Sequence, residues 1–161
     1  MARDAENTLI IDLKSGPVVI ELKPDVAPNH VARIKELARK GFYDGVVFHR
    51  VIPGFMAQTG DPTGTGSGGS DLPDLKAEFS AAPHKRGTVS MARTANPNSA
   101  NSQFFICFDA APWLDRQYSV WGQVVEGMEH VDAIKKGGDH NNGAIAGEPD
   151  RILKARVEAD G

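Results

Sequence analysis

One cysteine, Cys107, stands in the whole chain of 161 residues. No internal disulfide can form, which fits a reducing compartment. Excess positive charge is also missing. Eighteen Lys and Arg against 21 Asp and Glu give a net charge of −3, so a nucleic-acid partner has no electrostatic support. No apolar run approaches the ~18 residues of a membrane span, and the charged start MARDAENT lacks the apolar stretch of a secretory signal. The expected setting is the cytoplasm, with no membrane partner. His30, His49, His84, His130 and His140 form no i,i+4 pair and have no cysteine nearby, so no metal or cofactor is expected. Ser90, Ser99 and Ser102 have no nucleophile-elbow context. Cys107 lies within Phe104-Phe105-Ile106-Cys107-Phe108, where apolar surroundings raise a thiol's pKa and leave it inert. Covalent catalysis therefore has no good candidate.

Hydrophobic residues make up 40% and charged residues 24%, an ordinary globular balance, and the length suits one domain over residues 1–161. Strand patterns at 9–13 and 18–22, joined by a Ser15-Gly16 turn, open the chain as a hairpin. A helix follows from Pro28, with Asn29 as its N-cap, Val31, Ile34, Leu37 and Ala38 on one face and Gly41 as the stop. Arg33, Lys35, Glu36, Arg39 and Lys40 are expected to face water. Further strands are expected at 46–51, 55–59, 88–92, 103–108, 119–125 and 152–159, the last burying Leu153, Ala155, Val157 and Ala159, with a second helix over 128–136. Strands without βαβ alternation predict a mainly β fold: a closed eight-stranded antiparallel barrel capped by two helices.

The Gly-rich segments 60–73 and 136–149 are expected to be surface loops. In the first, Gly64, Gly66 and Gly69 satisfy G-x-G-x-x-G. That fingerprint needs a strand before it and a helix after it. Leu72-Pro73 follows instead, so a nucleotide is not expected.

The segment FHRVIPGFMAQTGD, residues 48–61, sets a permanent cation, Arg50, beside Phe48, Phe55, Met56 and a lone amide, Gln58. Strand alternation puts Phe48 and Arg50 on one face and His49 on the other. Beyond the Ile52-Pro53-Gly54 turn, Met56 and Gln58 share a face, as Gln103 and Phe105 do elsewhere. Convergence of these faces would make an apolar pocket of Phe55, Met56 and Phe105 rimmed by Arg50, Gln58 and Gln103. From spacing alone two readings of Arg50 stay open: a cation poised over a pocket, or an ordinary surface cation beside barrel core.

FHRVIPGFMAQTGD, GTGSGG, SMARTANPNSANSQFFICF and WLDRQYSVWGQVVEGM together resemble the ordered signature blocks of the cyclophilins, peptidyl-prolyl cis-trans isomerases, in a compact bacterial-like form. The resemblance runs from about Leu9 to Val157. It implies an enzyme that accelerates rotation about X-Pro bonds in folding proteins, an active site on the outer face of the barrel, proline-containing peptides as partners, cyclosporin binding, and a monomer. Carried over by position, it implies Arg50 and Gln58 as catalytic residues and Phe55, Met56, Phe105 and Leu114 as walls of a proline pocket. Ala92, Arg93, Gln103 and Trp113 are implied as further peptide contacts, with Thr65 and Ser99 near a neighbouring specificity pocket. It implies a satisfied interior role for His49. Tyr118, also placed at the site, stands where many members carry His, and Arg93 where many carry Asn, its backbone N–H being the implied contact. The rival is a proline-peptide binding module or holdase built from the same residues.

Overall fold

A hairpin opens the structure, a computed structural model that describes residues 4–138 and 143–160. Strands β1 (Thr8–Leu13) and β2 (Gly16–Leu22) pair antiparallel with Leu13 opposite Gly16, so the tight turn is Lys14-Ser15, one residue earlier than expected. The remaining strands are β3 (Arg50–Ile52), β4 (Met56–Thr59), β5 (Thr88–Met91), β6 (Phe104–Cys107), β7 (Val120–Glu126) and β8 (Lys154–Val157). All eight belong to one sheet in the order β3-β4-β6-β5-β7-β2-β1-β8, with antiparallel pairing. His140 lies outside the described residues.

The expected closed barrel is not what forms. No ladder joins β3 to β8 among the described residues. The sheet curls, and irregular backbone spans the gap: Phe48 N–H donates to Asp150 O at 2.8 Å and Ile152 N–H to Val46 O at 2.9 Å. The predicted strand 46–51 therefore begins only at Arg50. This break puts Phe48 in the interior beside Val51 and turns Arg50 outward, so Phe48 and Arg50 do not share a face. The predicted strand 152–159 shortens to β8, leaving Leu153 exposed and Ala159 in a terminal 3-10 turn.

Helix α1 (Pro28–Arg39) buries Val31, Ile34, Leu37 and Ala38, as its period dictates. Asn29 is not its cap, since Ala27 holds that position without a side-chain bond. The Glu78 carboxylate, from a distant loop, accepts the Asn29 and His30 N–H groups at 3.2 and 2.9 Å, a tertiary cap that satisfies orphan donors. Arg33 does not face water either. It is buried, donating to Asn101 O at 3.2 Å and Pro73 O at 2.5 Å. Helix α2 (Met128–Asp132) ends four residues before the expected stop, and Val131 and Ile134 are buried.

Two apolar clusters lie on opposite faces of the sheet. The larger holds Ile20, Ile34, Tyr43, Phe48, Phe104 and Trp121. The smaller holds Met56, Phe105, Cys107, Ala111 and Leu114, with Ile52, Phe55, Ala92 and Tyr118 against it. Strict alternation along β4 and β6 feeds both clusters: Ala57, Phe104 and Ile106 point in, and Met56, Phe105 and Cys107 point out. Each fully buried large side chain contributes roughly 1.5–3 kcal/mol. An apolar cluster on the outward face covers nothing of the interior, and it is there that the candidate site lies.

Candidate active site

Register brings the site together. Arg50 is paired with Gln58 across β3 and β4, and Gln58 with Phe105 across β4 and β6. The turn between β3 and β4 is closed by Phe55 N–H donating to Ile52 O at 3.0 Å, with Gly54 at φ +73°, a backbone conformation that glycine adopts without strain. It delivers Phe55 to the edge of the outer cluster. A 3-10 turn at Pro112–Leu114 sets Leu114 against Met56 and Phe105 and leaves Trp113 60% exposed, tilted against Phe55 at 5.6 Å.

The result is a pocket of about 100 Å³ lined by Arg50, Phe55, Met56, Gln58, Ala92, Arg93, Phe105, Leu114 and Tyr118. Gln103 stands one step away. Arg50 Nη1 donates to Gln58 Oε1 at 3.1 Å, and Gln58 Nε2 donates to Gln103 Oε1 at 2.9 Å. Gln103 Nε2 in turn donates to Gly66 O and Gly68 O at 3.0 and 2.9 Å. Each amide is oriented by its neighbour, so the polar rim is preorganised rather than loose. Burial pulls the Arg50 guanidinium below its ordinary pKa, with Tyr118 acting in the opposite sense. It remains a cation at every physiological pH.

A second cavity of about 520 Å³ adjoins the first, lined by polar groups including Ser67, Ser70, Asp74, Arg93, Thr94, Ser99 and Asn101. Ser99 lies in its lining. Thr65 does not line it; its hydroxyl lies 2.9 Å from that of Thr63, and its N–H is bound by Asp61.

Asp61 organises the glycine-rich loop that mimics a dinucleotide fingerprint. Its carboxylate accepts N–H bonds from Thr63, Thr65, Gly66 and Gly68 at 2.6–3.1 Å. A Cβ on Gly68 would sit 2.2 Å from Asp61 Oδ1, so only glycine fits there. Burial pushes the carboxyl pKa up, but bonds from Thr63, Gly68 and Gly66 more than offset that and hold it well below the carboxylate range. No helix follows the loop, as the prolines implied.

Three residues behind the pocket had no signal in the sequence. His84 is buried, its ring stacked near Phe105 at 6.1 Å and edge-on to Tyr118 at 6.4 Å. Its Nδ1 lies 3.1 Å from Asp115 Oδ1 and its Nε2 3.0 Å from Ser90 Oγ. This Ser-His-Asp chain is no nucleophile, because Ser90 is wholly buried beneath the sheet face. Loop-to-loop approaches such as 84 to 115 carry no periodicity that could reveal them. His49 is half-buried, and its Nδ1 has no hydrogen-bond partner among the described residues, so it is not the satisfied interior residue expected. Burial pushes the Cys107 thiol up to about 12.

Residues 8–157 match the family model for the cyclophilin-type peptidyl-prolyl cis-trans isomerases. A probable peptidyl-prolyl cis-trans isomerase of Brucella suis is 59% identical over 99% of this chain and 86% of its own length. A peptidyl-prolyl cis-trans isomerase of Synechococcus elongatus is 40% identical over 94% of this chain and 96% of its own. Among solved structures, the cyclophilin AquaCyp293 from Hirschia baltica superposes with a TM-score of 0.89 at 32% identity, covering 100% of this chain and 77% of that one. A Cryptosporidium parvum cyclophilin-type isomerase, crystallised in the presence of the dipeptide Ala-Pro, gives 0.85 at 29% identity, covering 93% of this chain and 98% of that one. The fold and the comparisons define the class: an isomerase of peptidyl-prolyl bonds. The chain belongs to the cyclophilin-type peptidyl-prolyl cis-trans isomerase family, which bears out the reading of its signature blocks.

Proposed function

We propose that the Arg50–Gln58 pair at the rim of the 100 Å³ pocket performs the isomerisation, with X-Pro segments of folding proteins as substrates. That hydrogen-bonded pair beside apolar walls is the observation that carries the reading. An X-Pro bond crosses slowly because C–N resonance imposes a barrier of roughly 18–20 kcal/mol. In the twisted state resonance is lost and the prolyl nitrogen becomes pyramidal with a lone pair. A donor aimed at that lone pair binds the twisted state and not the planar one, which is the condition for acceleration. Arg50 is that donor.

One charge-assisted hydrogen bond contributes roughly 1.5–3 kcal/mol, whereas a 10⁵-fold acceleration needs about 7 kcal/mol. Arg50 therefore does not act alone. Phe55, Met56, Phe105 and Leu114 clamp the proline ring while the preceding carbonyl swings. Gln58, through the second hydrogen of its amide nitrogen, and the Arg93 backbone N–H hold that carbonyl once rotated. Ala92, Gln103 and Trp113 complete the peptide-binding face, and the Trp113 indole offers an N–H to cyclosporin. Residues 1–161 act as one domain, as a monomer, in the cytoplasm. Among the described residues no helix is long and apolar enough to cross a membrane.

Exchange NMR on a short X-Pro peptide tests the reading with wild type and Arg50→Ala. Wild type should broaden and exchange the cis and trans signals, and the variant should bind with far slower exchange. Wild-type protein that binds without changing the exchange rate would establish the holdase instead.

A further inference from the structure

Arg93 lines both the proline pocket and its neighbour, yet its guanidinium is committed elsewhere. Nε and Nη2 donate to Gln117 O at 3.1 and 2.7 Å, and Nη1 donates to Thr94 O at 2.9 Å. These carbonyls belong to two different loops, one leaving β5 and one entering β7. The guanidinium carbon lies 4.6 Å from the centre of the Tyr118 ring and 5.9 Å from that of Phe79. Tyr118 in turn stands edge-on to Phe105 at 5.8 Å and 84°. The Tyr118 ring therefore contacts both the Arg93 guanidinium and the Phe105 wall of the pocket.

We infer that the Arg93 side chain is a positioning residue for isomerisation, a strut that fixes the Tyr118 wall and the loop presenting the Arg93 backbone N–H. The inference rests on the reading of the pocket proposed above. A guanidinium suits the task because one plane can stack on a ring while its edges donate to carbonyls on both sides. A lysine ammonium is a point charge and cannot do both. Without the strut, Tyr118 and the two loops must be ordered by the arriving peptide. That moves an ordering cost into the binding step, raising KM and Kd more than it lowers kcat. Arg93 and Tyr118 thereby form one unit.

The test compares wild type, Arg93→Ala, Arg93→Lys, Tyr118→Leu and the Arg93→Ala/Tyr118→Leu double variant. An Ala-Pro-containing peptide is the ligand, and aromatic NMR signals of Tyr118 are recorded in the free proteins. Arg93→Ala should weaken peptide Kd about 5–10-fold and lower exchange at saturation by a smaller factor. Arg93→Lys should restore less than half of the lost affinity. The free Tyr118 signals should shift and sharpen in Arg93→Ala, reporting a released ring. The double variant should bind no worse than the weaker single variant, because the two losses share one interaction. Wild-type affinity in Arg93→Ala, or losses that simply multiply in the double variant, would overturn the strut. A wild-type protein with no effect on X-Pro exchange would overturn the proposed function, while the Tyr118 signals would still report on the contact itself.

Discussion

Arg50 and Gln58 face each other as directly paired residues of β3 and β4, and the guanidinium donates to the amide oxygen at 3.1 Å. With its oxygen engaged, Gln58 presents its amide nitrogen to Gln103 and to the pocket. The two residues thus turn donors toward an incoming peptide, which suits a reaction whose changing atoms are a lone pair and a carbonyl oxygen.

Arg50→Ala should lower kcat/KM by about 10- to 150-fold, the equivalent of one charge-assisted hydrogen bond made only in the twisted state. Peptide Kd should change little. Exchange NMR at several peptide concentrations separates the two quantities, and an undiminished rate would remove Arg50 from the mechanism.

Turnover should be nearly flat between about pH 6 and 9, because no group in the mechanism titrates there. Stability should not be flat. Burial pulls His30, His49 and His84 below the ordinary imidazole value. Below about pH 6.5 the unfolded chain then binds more protons than the folded one, so stability falls as pH falls. Glu78 and Asp115 deepen the loss further into acid, since both are held below the usual carboxylate range in the fold. Urea melts at pH 5.0, 6.0 and 7.5 check this. Equal midpoints at all three values would contradict it, and a bell-shaped rate profile centred near pH 7 would contradict the mechanism.

Asp61→Ala should destabilise the protein by at least about 2 kcal/mol, because several N–H donors lose a buried charged acceptor at once. The same change frees Gly66 and Gly68, whose carbonyls anchor Gln103. Peptide affinity should therefore drop even at temperatures where the variant is fully folded. A thermal melt with the wild-type midpoint would show that the loop is held by other means.

Cyclosporin should bind measurably by titration calorimetry, and Trp113→Phe should weaken it by about 5- to 10-fold through loss of one indole donor. Trp113 is exposed and touches Phe55 alone among the aromatic rings described, so the variant should fold normally. Absence of heat at high micromolar drug would reject the binding altogether.

Much of the site was legible because the strand period is two. Met56 with Gln58, and Gln103 with Phe105, could be assigned to shared faces without coordinates. Where the backbone left that period, the same reasoning failed. The irregular stretch 46–49 separates Phe48 from Arg50, and the curl of the sheet is completed by isolated bonds instead of a ladder. Helix α1 shows the same boundary. Its buried stripe follows from a 3.6-residue period, whereas its cap comes from Glu78 and its Arg33 is buried under residues far along the chain.

By itself the sequence determined the strand count, the family, the apolar faces of β4 and β6, and most of the residues found around the pocket. Local periodicity and long signature blocks are properties of neighbouring positions, and they survive without knowledge of distant contacts. Only the tertiary structure decided which side chains complete one another: the Arg50–Gln58–Gln103 relay, the His84–Asp115 support behind Phe105, and the Arg93–Tyr118 stack. Such contacts join segments far apart in the chain, so their partners are chosen by register, by packing and by the need to satisfy buried polar groups.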